Sequence, residues 1–525
     1  MKKNSPFIWL TLILVVGTTI PFSTSASPDL LNLKSHDQSP QPTPMDHNDG
    51  LNIYSKRPHP EVAGLQDIRL GKSKLNIPDD ITTHRMPGAG YYRPDESANP
   101  VEINSSQPLA ISPNAGTGIY GRVTQNGSSA SGVSLDLRFY NGSSWSTQAT
   151  TSTDSGGNFQ FTGAPSLTAG QIYYVQYYNP NNASRLWWWN TRDLYEYTAG
   201  SNVLIGNFDI AGISLISPPN SNPPYFNEII SFPYTFQWTK RTASPTDVYE
   251  LDLFRAQLYT YDPWWWMVVG NAGSHRLYCL PPDFDPGSAY IWNWDVWVYS
   301  PDGGYGESYD WRLVRFDNFP TCNGIRGQVT QNGTPVSDTV NLVLYNGTSI
   351  FNASQMDTEA DGTFKFGNVP NPGSGSRYWV EYINSENTSG RLSFWSTRSL
   401  TSYTPNSDVQ IGDFDIADIP LVSPTDGVTE TIPMTFTWTV RTSTPTDSYS
   451  VAIGQEEILL FGGGGYTSTY TLKCMFPVLE AGNSYKWDLW AFSPDGGFGE
   501  SLNYRSISFS GGPDCLKTFL PVVLR

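Results

Sequence analysis

Gly118-Ile-Tyr-Gly-Arg-Val-Thr-Gln-Asn-Gly127 returns as Gly324-Ile-Arg-Gly-Gln-Val-Thr-Gln-Asn-Gly333, and nearly everything that follows it returns as well. An offset of 206 carries Phe208-Asp-Ile210 onto Phe414-Asp-Ile416. The offset shrinks to 200 between Trp238 and Trp438, and to 193 between Ser300-Pro-Asp-Gly-Gly304 and Ser493-Pro-Asp-Gly-Gly497. The chain is a tandem duplication, and a repeat of this length constrains every later reading of the architecture.

Composition narrows the class. The 525 residues include 47 Gly and 40 Pro, with 14% aromatic and only 15% charged residues, which describes many short strands joined by turns. The chain reads as all-β. Its length fits two copies of a two-module unit in the order A-B-A-B, with boundaries at 116–211, 212–322, 323–417 and 418–516. The formal net charge of -17, which becomes -19 if Lys2 and Lys3 leave with a signal peptide, disfavours nucleic acid and anionic lipid as partners.

The start is an export signal. Lys2 and Lys3 precede an apolar run from Phe7 to Val16 and small residues up to Ala26, so residues 1–26 read as a cleavable signal peptide, with an uncleaved anchor as the alternative. The run is short for a membrane span, and none is expected after cleavage. Residues 27–115 are rich in Pro, Ser, Asn and Asp and read as a disordered stalk or linker, with a propeptide as the alternative.

Four cysteines fit an oxidising compartment. Cys279 and Cys322 lie 43 apart, Cys474 and Cys515 lie 41 apart, and each pair occupies the same place in its copy. That equivalence selects the pairings Cys279–Cys322 and Cys474–Cys515. A zinc site would want more closely spaced thiols.

In the first A module, Ile119, Gly121 and Val123 begin a strand, Asn126-Gly127 makes a hairpin turn, and Val133 to Phe139 alternates with the period of a half-buried strand. Thr153-Asp154, Gly157, Phe159-Gln-Phe161 and Gly170 to Val175 complete a succession that resembles the carboxypeptidase-regulatory-like domain, which implies a transthyretin-like β-sandwich. The second copy departs from it with Thr358-Glu359 and with Pro372-Gly-Ser-Gly375. The B module, from Ile213-Ser-Leu-Ile-Ser-Pro218 through Tyr234 to Trp238 and Tyr309 to Phe316, resembles a fibronectin type III-like sandwich. The resemblances together imply four tandem β-sandwich domains. In the late strand of each B module, Trp294, Val296 and Val298, and likewise Trp487, Leu489 and Ala491, share one face and are expected in the core.

The search for chemistry meets absences. His36, His47, His59 and His84 precede the repeats, so His275 alone could serve a Ser-His-Asp or Cys-His arrangement, and the second copy has Tyr470 in its place. The His-x-x-Glu pair of the zinc peptidases that carry the resembling accessory domain is missing, so peptidase activity is not implied. Asp209/Asp415, Asp247/Asp447, Asp302/Asp495 and Glu307/Glu500 occur in both copies; a glycosidase needs two carboxylates, but duplication favours a structural role. Asp357-Thr-Glu-Ala-Asp361-Gly362 looks like half a calcium loop. No catalytic residue, metal site or cofactor is expected.

Aromatic residues carry more information. Trp187-Trp-Trp189 and Trp264-Trp-Trp266 are runs of three, and in a strand the middle ring faces away from its neighbours. Trp189 pairs with Trp395 as shared core. Trp187, Trp188, Trp264, Trp265 and Trp266, with Tyr305 and Phe498 in the Pro-Asp-Gly-Gly hairpins, are the candidate binding residues, either stacking on sugars or packed between modules. Pro-Asp-Gly-Gly is also a turn sequence in its own right. Residues 517–525 form a C-terminal tail that resembles short Leu-Pro-containing tails of secreted bacterial proteins, or an added edge strand.

The sequence thus leads to a non-catalytic, secreted or cell-surface scaffold or adhesion protein with an extracellular protein or glycan as partner. A carbohydrate-binding protein that uses the first-copy tryptophans is the alternative.

Overall fold

A computed structural model describes residues 117–179, 181–219, 229–255, 264–280, 292–316, 320–454, 460–463, 465–476 and 479–515. The expected signal peptide, stalk and C-terminal tail lie outside the described residues, as does the side chain of Trp264. Among the described residues the named elements are all strands, so the chain is all-β.

Each copy is built on a ten-stranded sheet that runs through both of its modules. In the first copy the A module contributes Ser134–Tyr140, Trp145–Ser152, Ile172–Tyr178 and Trp188–Asn190. The B module contributes Ile229–Ile230, Val248–Arg255, Trp264–Gly270, Trp292–Tyr299, Tyr305–Glu307 and Arg312–Phe316. The two halves are joined where Trp188–Asn190 pairs antiparallel with Tyr305–Glu307. Phe394–Ser396 and Phe498–Glu500 make the same join in the second copy. The sandwiches of a copy are therefore fused through a shared layer, an arrangement that the module boundaries at 211 and 417 do not reveal.

A smaller sheet completes each sandwich. On the A side, Gly118–Gln125 pairs with Asn158–Phe161 and, in parallel, with Asn202–Asp209. On the B side, Tyr234–Trp238 lies between Leu215–Ser217 and Ser274–Leu277. Alternation does the rest, because successive side chains of a strand face opposite sides. Leu135, Leu137 and Val175 are buried in the A module. In the B core, Phe236 meets Trp294 edge to face at 5.1 Å, and Phe436 meets Trp487 at 5.0 Å. Trp294, Val296, Val298, Trp487, Leu489 and Ala491 all lie in the core, as their period of two requires.

Disulfides join Cys279 to Cys322 and Cys474 to Cys515. Each ties the end of its B module back to the turn after the strand Ser274–Leu277 or Thr469–Leu472.

Candidate functional site

Trp188, Trp266 and Glu307, singled out by the sequence, lie on the face of the ten-stranded sheet turned away from the B core, whereas Trp265 pairs with the core residue Leu253. With Tyr249, Leu251 and Leu253 in the B core, strand alternation turns Glu250 and Asp252 to the other side. Pairing then builds a row across six strands: Val268, Glu250, Trp297, Glu307, Trp188 and Tyr178. A second, shorter row holds Trp266, Asp252 and Asp295.

Acids and rings are engaged with one another there. The Trp188 indole Nε1 donates to Glu307 Oε2 at 2.8 Å, and Tyr299 Oη donates to Glu250 Oε2 at 2.9 Å. Trp188 meets Trp297 edge to face at 4.9 Å, and Trp297 stacks on Tyr305 at 6.3 Å. The two contacts of Trp188 carry the A module onto the B module. In the second copy Glu381, Trp490, Glu500 and Phe394 show how the face varies. Phe394 has no donor for Glu500; burial, then the neighbouring Asp488, push the Glu500 carboxyl up, and burial raises Asp488 too. Burial likewise raises Glu381 to about 7, against a hydrogen bond from Ser396 Oγ at 3.0 Å.

The duplicated aspartates serve the junction between A and B. The Asp209 carboxylate accepts from Thr124 Oγ1 at 2.7 Å and from the amides of Asn126, Gly127 and Ala211 at 3.2, 2.8 and 2.8 Å, so it fixes both the first hairpin and the exit to the B module. Asp209 also lends its carbonyl to the buried Arg241, whose Nε and Nη2 bond Asp247 Oδ2 at 2.8 and 2.5 Å. That guanidinium lies 4.9 Å over the Trp189 ring. Arg441 keeps the Asp415 carbonyl and the Trp395 ring but reaches Asp447 through Nη2 alone, its Nε left without a hydrogen-bond partner. Charge pairing and ring contact compensate the cost of burying a guanidinium. The arginines were missed in the sequence, although their equal offset of 200 was the signal that could have found them.

The Pro-Asp-Gly-Gly hairpins are packed turns. Ser300 N donates to the Gly304 carbonyl at 2.7 Å, and a Cβ on Gly304 would lie 2.7 Å from Trp189 Cζ2, so only glycine lets the turn lie on that ring. Tyr305 and Phe498 are half-buried, stacked on Trp297 and Trp490. The carboxylates of the calcium-like stretch divide their partners: Asp357 Oδ1 accepts from Thr339 Oγ1 at 2.6 Å and Asp361 Oδ1 from the Thr363 amide at 3.0 Å. Among the described residues no three His, Cys, Asp or Glu side chains are grouped to hold a metal ion.

The candidate tryptophans divide by exposure. Trp188 and Trp265 are buried at 6% and 8% exposure, whereas Trp187 and Trp266 are half-buried. His275 is also buried, on the strand facing Phe236. The surface turn that its setting in the sequence suggests is not where it lies, and desolvation lowers its imidazole to about 4. Exposed rings lie elsewhere, Tyr195 at 63% among them; Trp311 at 51% and Tyr504 at 56% stand in equivalent places before the last strand of each B module.

Comparison with protein-family models matched nothing, and neither did comparison with curated proteins. Among solved structures the chain is similar to the major pilin subunit of Bacillus cereus, at 12% identity over 57% of this chain and 99% of that one, with a TM-score of 0.14. It is also similar to a tetra-tandem repeat from the extending region of a large adhesion protein, at 10% identity, 75% and 98% coverage and a TM-score of 0.15. Fibronectin(III)-like modules of Clostridium thermocellum CbhA give 14%, 36% and 90%, and 0.16.

Proposed function

We propose that the chain is a non-catalytic extracellular or cell-surface scaffold or adhesion protein, exported by its N-terminal signal and built from carboxypeptidase-regulatory-like A modules and fibronectin type III-like B modules. One observation carries this reading. Trp188 and Glu307, a ring and an acid that could have served a cleft, are spent on joining the two halves of a sheet. Catalysis by paired carboxylates needs an acid and a base that both reach substrate, and here Asp209 and Asp247 are committed to backbone and to Arg241. The test couples the mature chain to beads and measures both retention on cell walls, insoluble polysaccharides and matrix proteins and turnover of the same materials. Retention without turnover supports the reading, and turnover that persists on repurification overturns it.

Carbohydrate binding is the second reading, moved to Trp311 and Tyr504. Each is a half-exposed ring beside an exposed polar residue, Asp310 or Asn503, and in the second copy Lys486 Nζ lies 4.1 Å over the Tyr504 ring. Flat rings with adjoining polar groups suit the faces and hydroxyls of neutral sugars, and two sites on one chain add avidity for a polymer. Trp311→Ala with Tyr504→Ala should abolish retention on a polysaccharide that the parent binds, while unchanged retention would remove this reading.

A further inference from the structure

The two copies meet in a seam whose two sides are not repeated at the outer ends of the molecule. On the first-copy side, the turn after Ser274–Leu277 presents the Tyr278 amide and the Cys279 carbonyl. On the second-copy side stands Asn368, 1% exposed and in the left-handed region at φ 59°. Its Oδ1 accepts from Tyr278 N at 2.8 Å, and its Nδ2 donates to the Cys279 carbonyl at 2.9 Å. One side chain thus satisfies both polar groups of the turn. Beside it, a Cβ on Gly367 would lie 2.7 Å from Cys322 Sγ, so glycine is required there for the disulfide to seat.

Apolar contact continues the seam. The strand Trp264–Gly270 lies along Ile350–Asp357, and the Tyr299 and Phe351 rings are 6.1 Å apart. A cavity of about 290 Å³ between the copies is lined by Val248, Val269 and Asn271 on one side and Leu344, Pro372 and Tyr378 on the other.

Neither outer end keeps these features. In the first A module the counterparts of Gly367-Asn368 are Thr162-Gly163, which restore a Cβ where the disulfide would sit and remove the amide that would clamp the turn. The counterparts of Val343, Phe351 and Ala353 are Arg138, Ser146 and Gln148. Val343 and Ala353 are buried, whereas Ser146 and Gln148 are exposed. In the second B module, Ser448, Gly464 and Tyr466 stand for Val248, Val269 and Asn271, and Lys473 for Tyr278. Terminal units of a repeat array carry such altered outer faces, because an unaltered one would accept a further unit.

We propose that the seam is an exclusive joint: the B module of the first copy receives only the A module of the second copy of the same chain, through the Asn368 clamp. This goes beyond the scaffold reading and does not depend on it.

Hydrogen exchange on the mature full-length chain tests the clamp at the atom concerned. The Tyr278 amide should be protected and the equivalent Lys473 amide at least about tenfold faster, a factor equal to about 1.4 kcal/mol. Asn368→Gly, which suits the left-handed backbone and copies Gly163, should bring Tyr278 to the Lys473 rate and raise the radius of gyration in solution scattering. Should that variant misfold, Asn368→Asp keeps the acceptor for Tyr278 and removes the donor to Cys279, and should give an intermediate rate. Equal protection of Tyr278 and Lys473 in the parent chain, or no change in Asn368→Gly, overturns the clamp. Light scattering tests exclusivity: a monomer at every concentration is expected, and head-to-tail growth with concentration overturns it.

Discussion

The ring of Tyr470 fills the space that a side chain on Gly462 would need, since a Cβ there would lie 2.2 Å from Tyr470 Cζ. In the first copy the equivalent positions carry Met267 and His275, both buried. Gly462→Ala should therefore cost about 1–3 kcal/mol by overpacking. Adding Tyr470→His should recover most of that loss. Chemical denaturation of the two single variants and the double variant checks this, and additive costs would show that the positions do not share their space.

His275 gives the chain a pH dependence whose sign follows from burial. Desolvation lowers its folded value to about 4, while the unfolded chain keeps about 6.5. Below pH 6.5 the unfolded chain takes up a proton that the folded chain refuses, so this contribution is complete above that pH and is lost as pH falls towards 4. The loss is about 3 kcal/mol. Denaturation midpoints of the parent and of His275→Gln between pH 7.5 and 4 should converge as pH falls.

The buried Arg241–Asp247 pair has both side chains almost wholly withdrawn from water, as has Arg441–Asp447. Asp247→Asn leaves the guanidinium charge buried without its counter-ion, at a cost of about 3–5 kcal/mol. Asp447→Asn should cost less, because Arg441 holds Asp447 through Nη2 alone where Arg241 holds Asp247 through both Nε and Nη2. Replacing Arg241 and Asp247 together by Met and Leu should cost far less than either single change, as denaturation would show.

The disulfide Cys474–Cys515 closes residues 41 apart. Changing both to Ser should remove about 4 kcal/mol, from the constraint that the bridge places on the unfolded chain. Thermal unfolding of the double variant would register it.

Duplication, the all-β class, the pairing of the cysteines and the inward face of Trp294 were all legible in the sequence, because each leaves a local or repeated mark: an offset, a turn, a period of two. The join between Trp188 and Glu307 was not. Its partners are distant in sequence, and a strand carries no local record of which edge it will meet. The runs of tryptophan were legible as unusual, with packing between modules as one of two readings; only the structure shows that the rings covering Trp188 belong to the other module. Trp311 looked like an ordinary strand residue, and only the structure sets its exposure apart. Asn368 likewise has nothing around it in the sequence that points to Cys279.

The fused sheet has a consequence for how the chain is made. Trp188–Asn190 takes its second neighbour from a hairpin whose Glu307 lies 119 residues beyond Trp188. While the chain is being synthesised or exported from its N-terminus, the A half of the sheet must wait with an open edge until that hairpin emerges. An open edge pairs with whatever strand it meets. Truncation between the modules should therefore yield a sticky fragment rather than a smaller stable protein, and the order of emergence makes each copy, not each module, the unit that must be complete before it is safe from misassembly.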